Sequence, residues 1–143
     1  MTRRLRYLAR GVSLQRDGER GSAQIEFAIS AVMVLSLVFM AFELCSAVYT
    51  YVVLSEAANE GVRYAIVHSS DDNLTTDTTA VITTYASYSL HDVRLVNVQV
   101  QYPDGQAVSG RVQVTVSYAY VPYVGLMKSP PTMHAYAEGR LVY

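Results

Sequence analysis

Chemistry in this chain could rest on its three histidines and on a few neighbouring carboxylates. His68, His91 and His134 share no metal-ligand spacing and fall in three different predicted elements. His134 alternates with apolar Met133 and Ala135, which predicts a solvent-facing histidine on a strand. Asp71 and Asp72 are adjacent, but they lie in a polar run that suits a helix cap or a solvated loop. His91 and Asp92 are the remaining pair, the only basis for an anchored hydrolase, and no nucleophile elbow, P-loop or dinucleotide fingerprint accompanies them. Cys45 is the single cysteine, so no intrachain disulfide and no cysteine-based metal site can form. The expectation is a protein that is not an enzyme, with no catalytic residue, no metal and no cofactor. One ionisable group still stands out. Glu26 sits just inside a long apolar run, where a carboxylate costs roughly 2.5–3.5 kcal/mol on insertion scales and persists when paired or when it has work to do.

The elements that position Glu26 begin with that run. From Phe27 to Phe42 there is no charge; Glu43 interrupts, and Leu44 to Leu54 is again uncharged. Spanning a bilayer core of about 30 Å takes about 20 apolar residues in a helix, so this region predicts one membrane span with Glu43 near its outer end or partnered. The region is too long for the core of a cleaved secretory signal, and no small-residue cut site closes it. Six of the eleven basic residues precede Gly21: Arg3, Arg4, Arg6, Arg10, Arg16 and Arg20. Arginines before the span and few basic residues soon after it place the amino terminus in the cytoplasm and the remainder on the far side. A net charge of −1 and an arm that abuts an apolar segment argue against nucleic acid as a partner.

The helical pattern continues past the apolar run. Val48, Tyr51, Val52, Ser55, Ala58, Val62, Ala65 and Ile66 recur at three- and four-residue steps, with Glu56, Asn59, Glu60 and Arg63 on another side. Glu60 and Arg63 suit an ion pair across one turn. Gly61 costs such a helix about 1 kcal/mol, which predicts something packed closely against the backbone there. A helix from about Ser22 to about His68 measures on the order of 70 Å, so its outer half must pack on a folded domain. Leu74, Val81, Ile82, Tyr85, Ala86 and Leu90 predict a second amphipathic helix, capped by an aspartate. Val96, Val98, Val100 and Tyr102 alternate with polar residues, as do Val112, Val114, Val116, Tyr118 and Tyr120. The turn residues of Tyr102–Gln106 join these runs into an antiparallel hairpin. After a connection containing Pro122, Gly125, Pro130 and Pro131, the segment from Thr132 supplies a third strand. The fold class is α+β: a long N-terminal transmembrane helix continuing into a small domain with a second helix and a three-stranded antiparallel sheet.

"GSAQIEF" resembles the processing site of type IV pilin-like proteins, in which a prepilin peptidase cuts after glycine and a glutamate stands fifth in the mature chain. Gly21 and Ser22 would flank the cut, and Glu26 would be fifth. The wider pattern is similar to TadE-like proteins, minor pseudopilins of tight-adherence (Tad) pili. It comprises Glu26-Phe27-Ala28, the second glutamate Glu43, Ala57-Ala58, Glu60-Gly61, Arg63-Tyr64 and Ala65, with a late strand-and-proline segment from Val114 to Pro122. Ala31 and Val32 depart from the proline that many members carry, and Leu44-Cys45 from the common Phe-Gly.

The resemblance implies a basic leader, 1–21, removed by a prepilin peptidase. It also implies a transmembrane and assembly helix, 22–54, and an extracytoplasmic α+β domain, 55–143, in a bacterial inner-membrane protein. Its partners would be the peptidase, other minor pseudopilins, the major Flp pilin, inner-membrane platform proteins of the Tad machinery, and membrane lipid. The role implied is pilus assembly, with adhesion or secretion served through the pilus. Glu26 and Phe27 would act in subunit registration, and no cofactor is implied. The competing expectation is an uncleaved single-span anchor presenting a binding or sensory domain.

Overall fold

A computed structural model describes residues 5–106, 109–125 and 131–142, with side chains from residue 21 onward. The leader's arginine side chains, and Pro130 in the late connection, lie outside the described residues. The elements run α1 (Leu5–Val67), α2 (Leu74–Ser87), a short 3-10 turn (Val93–Leu95), β1 (Val96–Gln101), β2 (Arg111–Ala119) and β3 (Thr132–Arg140). Two compact units divide the chain, Met1–Phe42 and Glu43–Tyr143.

The first unit is helical from Leu5 onward. From Gly21 to Phe42 its side chains are exposed, apart from half-buried Gly21 and Ala31. Apolar groups cover this stretch on every side, a pattern that suits lipid and not water. Among the described residues one helical stretch, Gly21–Val67, is long and apolar enough to cross a membrane.

The second unit is the α+β body expected from the alternation. Its sheet has the order β1-β2-β3, antiparallel throughout, with Val98 opposite Val116 and Val116 opposite Ala135. On β2 the residues Val112, Val114, Val116 and Tyr118 are buried and their alternates half-buried, so the central strand supplies the floor of the core. His134 faces outward on β3 between Met133 and Ala135, as the alternation predicts. The turn after β1 closes with the Gly105 amide donating to the Tyr102 carbonyl at 3.1 Å, and Gly105 has φ of 77°, a conformation glycine adopts without a Cβ penalty.

Over this floor lies the C-terminal part of α1. The stripe that it buries differs from the one read in the sequence. Val48, Tyr51 and Val52 are exposed, and the core face is Glu43, Thr50, Val53, Leu54, Ala57, Ala58, Gly61, Val62 and Ala65. The expected stripe holds at Ala58, Val62 and Ala65, which are buried, and fails in its first turns, where Thr50, Val53 and Leu54 face the core instead of Val48, Tyr51 and Val52. A Cβ on Gly61 would lie 2.5 Å from Ile82 Cγ1 of α2, and one on Gly139 of β3 would lie 2.6 Å from Val62 Cγ1. Gly61 is thus where a neighbouring helix meets the α1 backbone, as its presence in a helix predicts. Leu54 and Ile82 are fully buried, each contributing about 1.5–3 kcal/mol by removal from water.

Helix α2 buries Leu74, Thr78, Ile82 and Ala86, one residue per turn. Its N-cap is Asn73 and not an aspartate, and no side-chain cap bond is made. Val81 is half-buried, and Tyr85 stands at the edge with its hydroxyl donating to Glu56 at 2.9 Å.

Candidate functional site

The chain's acidic motif residues separate into two kinds of environment. Gly21 is half-buried, while Ser22, Glu26 and Phe27 are exposed on the helical surface of the first unit. Glu26 therefore offers its carboxylate on an apolar, uncovered helix. Nothing in the surrounding stretch carries a charge from Phe27 to Phe42, so an opposite charge brought there from outside would meet it in low dielectric.

Glu43 is the opposite case. It is buried, at 6% exposure, in the first turn of the second unit. The Tyr120 hydroxyl donates to Glu43 Oε1 at 2.6 Å, and the Val124 backbone N–H donates to Oε2 at 3.1 Å. The same hydroxyl also lies 3.4 Å from the Glu43 carbonyl oxygen. Both carboxylate oxygens are thus satisfied, which is what makes a buried acid tolerable. Burial, reinforced by the adjoining Glu43 carboxylate, holds the Tyr120 hydroxyl well above the usual tyrosine range and keeps it a proton donor. The clamp fixes the end of β2 and the connection to β3 against α1.

Beside the clamp is a cavity of about 230 Å³ lined by Tyr49, His91, Tyr118, Tyr120, Val121 and Tyr123, with Cys45, Ser46, Thr50, Ser89 and Leu90 completing its wall. His91 and Tyr123 meet edge to face at 6.4 Å. Asp92, next to His91, is committed elsewhere. It caps the Val93–Leu95 turn by accepting the Arg94 N–H at 3.0 Å and pairs with the Arg94 guanidinium, which holds its carboxyl below the usual range. No group of three or more potential metal ligands occurs among the described residues.

The distal motif is chiefly a packing motif. Ala57, Ala58, Gly61 and Ala65 are buried, Tyr64 is half-buried and stacks on His68 at 4.2 Å, and Glu60 pairs with exposed Arg63 at 2.9 Å. The Glu60–Arg63 pair forms as its spacing predicts; exposure keeps it worth little.

Residues 21–63 match the family model of TadE-like proteins. That stretch is similar to TadE-like proteins. The match starts at the glycine of the expected processing site and ends at Arg63 of the distal block; it bears out the resemblance over that stretch, while Tyr64, Ala65 and the Val114–Pro122 segment lie outside it. The one helix among the described residues that is long and apolar enough to cross a membrane is a candidate membrane span, which agrees with a membrane-anchored protein. No curated protein and no solved structure matches the chain.

Tyr120 and Val124 are the site residues that sequence reasoning missed. Their partner lies 77 and 81 positions away, and no local periodicity encodes a pairing of that span. The available signal was Glu43 itself. A carboxylate on the buried stripe demands donors, and a tyrosine closing the inward alternation of β2 just before Pro122 was the natural one to seek.

Proposed function

We propose that this TadE-like chain is a minor pilin-like subunit in Tad pilus biogenesis, matured by a prepilin peptidase that cuts between Gly21 and Ser22. It sits in the bacterial inner membrane with its amino terminus in the cytoplasm and works through subunit contacts, not catalysis. The observation that carries the reading is the coincidence, at residue 21, of the start of the family match with an exposed apolar helix whose fifth residue after the glycine is Glu26.

The mechanism follows from charge. A cut after Gly21 removes the basic arm, which could not enter an apolar helix bundle, and creates an α-amine on Ser22. Glu26 stands one helical turn further on, with its carboxylate exposed. A charge that is costly alone becomes a registration device when an α-amine, from a neighbouring subunit or from the same chain, meets it in low dielectric. Phe27 and the apolar residues after it supply the surface that packs beside lipid before assembly and beside other helices afterwards.

In cells that contain the peptidase, the intact mass of the purified chain should lack the first 21 residues. Gly21→Leu should retain them. Glu26→Ala should permit cleavage and impair pilus assembly. A wild-type chain that keeps its leader, with Glu26→Ala fully functional, would favour an uncleaved anchor instead.

A further inference from the structure

Several large apolar residues of the second unit lie outside its core; Val67, Tyr88, Leu95, Tyr136 and Val142 are scattered over it, and seven others gather on two neighbouring segments. On α1, Leu44, Val48, Tyr49, Tyr51 and Val52 are exposed although the opposite face of the same turns is buried. On the connection after β2, Val121 is 45% and Tyr123 65% exposed. The two segments are neighbours, because Tyr49, Val121 and Tyr123 wall the same cavity and the Glu43 carboxylate holds the Val124 N–H. Neither segment carries a charge from Leu44 to Leu54 or from Ala119 to Gly125. The outer face of the sheet is chiefly polar or charged, with Asn97, Gln99, Gln101, His134, Glu138 and Arg140 on it beside an exposed Tyr136, whose hydroxyl donates to Glu138.

We infer that this tyrosine collar, Tyr49 with Val121 and Tyr123 on the clamped connection, is a lipid-contacting surface that seats the second unit in the headgroup layer of the bilayer. The inference rests on reading α1 as a membrane span, and it adds a second, non-helical contact to that span. Continuity argues for lipid as the occupant: exposed apolar residues run along α1 through Phe42 and resume at Leu44, interrupted only by the buried Glu43. Residue type argues the same way. A tyrosine ring suits the acyl boundary while its hydroxyl reaches water and headgroups, and the chain has 12 tyrosines and no tryptophan to fill that role. The polar wall of the cavity, with Ser46, Ser89 and His91, suits the hydrated side of such a layer. Glu43 then has a mechanical role: by holding Val124 it keeps Tyr123 level with the turn of α1 that leaves the apolar stretch.

The absence of native tryptophan makes a direct test possible. Single-tryptophan variants of the full chain would be reconstituted in phosphatidylcholine vesicles brominated either near the headgroup or near the bilayer centre. Phe39→Trp reports on the span, Tyr123→Trp and Tyr49→Trp on the collar, and Tyr88→Trp on a residue 83% exposed at the end of α2. The expected result is that Tyr123→Trp and Tyr49→Trp lose more intensity to shallow than to deep bromine, Phe39→Trp loses more to deep bromine, and Tyr88→Trp loses to neither. Quenching of Phe39→Trp without quenching of either collar variant would overturn the inference and leave the span intact. Quenching of none would overturn both. Equal quenching of Tyr88→Trp would show an orientation that the collar does not set, and would overturn it as well. A collar signal that follows protein density and not bromine would assign the face to a second copy of the chain, and the lipid contact would again be refuted.

Discussion

Glutamine at position 43 is the sharpest probe of the clamp, because it keeps the shape of the side chain while removing its charge and one of its two acceptor oxygens. Glu43 accepts two hydrogen bonds, from the Tyr120 hydroxyl and the Val124 N–H, on different oxygens. A glutamine has one acceptor oxygen and one NH2, so it can keep one of these donors and must set its own N–H groups against the other. Hydrogen bonds to a charged group contribute about 1.5–3 kcal/mol each, and an orphaned buried donor costs about 1–3 kcal/mol, so Glu43→Gln should destabilise the second unit by about 2–3 kcal/mol. Tyr120→Phe leaves Glu43 Oε1 buried without its donor and should cost about 1.5–3 kcal/mol by the same reasoning. The double variant decides the matter. Once the Tyr120 hydroxyl is gone and no longer requires an acceptor, the glutamine can turn its oxygen to Val124, so the two costs should fall short of additivity by about 1–2 kcal/mol. The assay is urea unfolding of the full chain in detergent micelles, followed by near-ultraviolet circular dichroism of the tyrosines. Additivity within about 0.5 kcal/mol would refute a direct bond between the two side chains. A Glu43→Gln variant as stable as the wild type would refute the clamp altogether.

The same geometry makes three more outcomes measurable. Gly61→Ala should destabilise by about 1–3 kcal/mol despite a helix-propensity gain of about 1 kcal/mol, because its Cβ would press on Ile82 Cγ1 at 2.5 Å; Ile82→Val in the same chain should recover part of the loss on urea unfolding. Stability should fall as pH rises above about 10. Tyr120 has its folded pKa raised, so its contribution is complete below the unfolded pKa of about 10 and is lost as pH climbs toward the folded value; Tyr120→Phe should flatten this alkaline slope. Asp104→Asn, which breaks the exposed pair with Arg111 at 2.7 Å, should leave the unfolding midpoint unchanged.

Most of the fold was legible because most of it is written in short-range periodicity. The apolar run announced a span, the two valine-rich alternations announced β1 and β2, and the glycine in "PDG" announced the turn between them. The buried stripe of α1 was not legible in the same way. Apolar counting favours Val48, Tyr51 and Val52, yet these stay exposed, while Thr50, Ala57 and Gly61 face the core. Burial on that helix is decided by how near the sheet and α2 approach, and near approach selects small residues. The cap of α2 failed for a related reason. Asp71 and Asp72 are good capping residues, but the chain turns through the Leu74 N–H to Asp71 carbonyl bond and presents Asn73 at the cap position.

The two glutamates of the apolar helix illustrate how position changes the meaning of the same side chain. Each interrupts an uncharged stretch, and by transfer cost alone each demands a partner. Glu43 has its partners within the chain, and they tie the sheet's late connection to α1; its substitution should therefore register first in the stability of the folded unit. Glu26 has an exposed carboxylate on an uncovered helix, so its partner must come from a new terminus or another molecule, and its substitution should register in assembly while unfolding of the second unit is unchanged. The separation can be measured in one pair of variants. If Glu26→Ala lowered the stability of the second unit, or if Glu43→Gln impaired assembly with stability intact, the division of roles between an internal clamp and an external registration charge would be wrong.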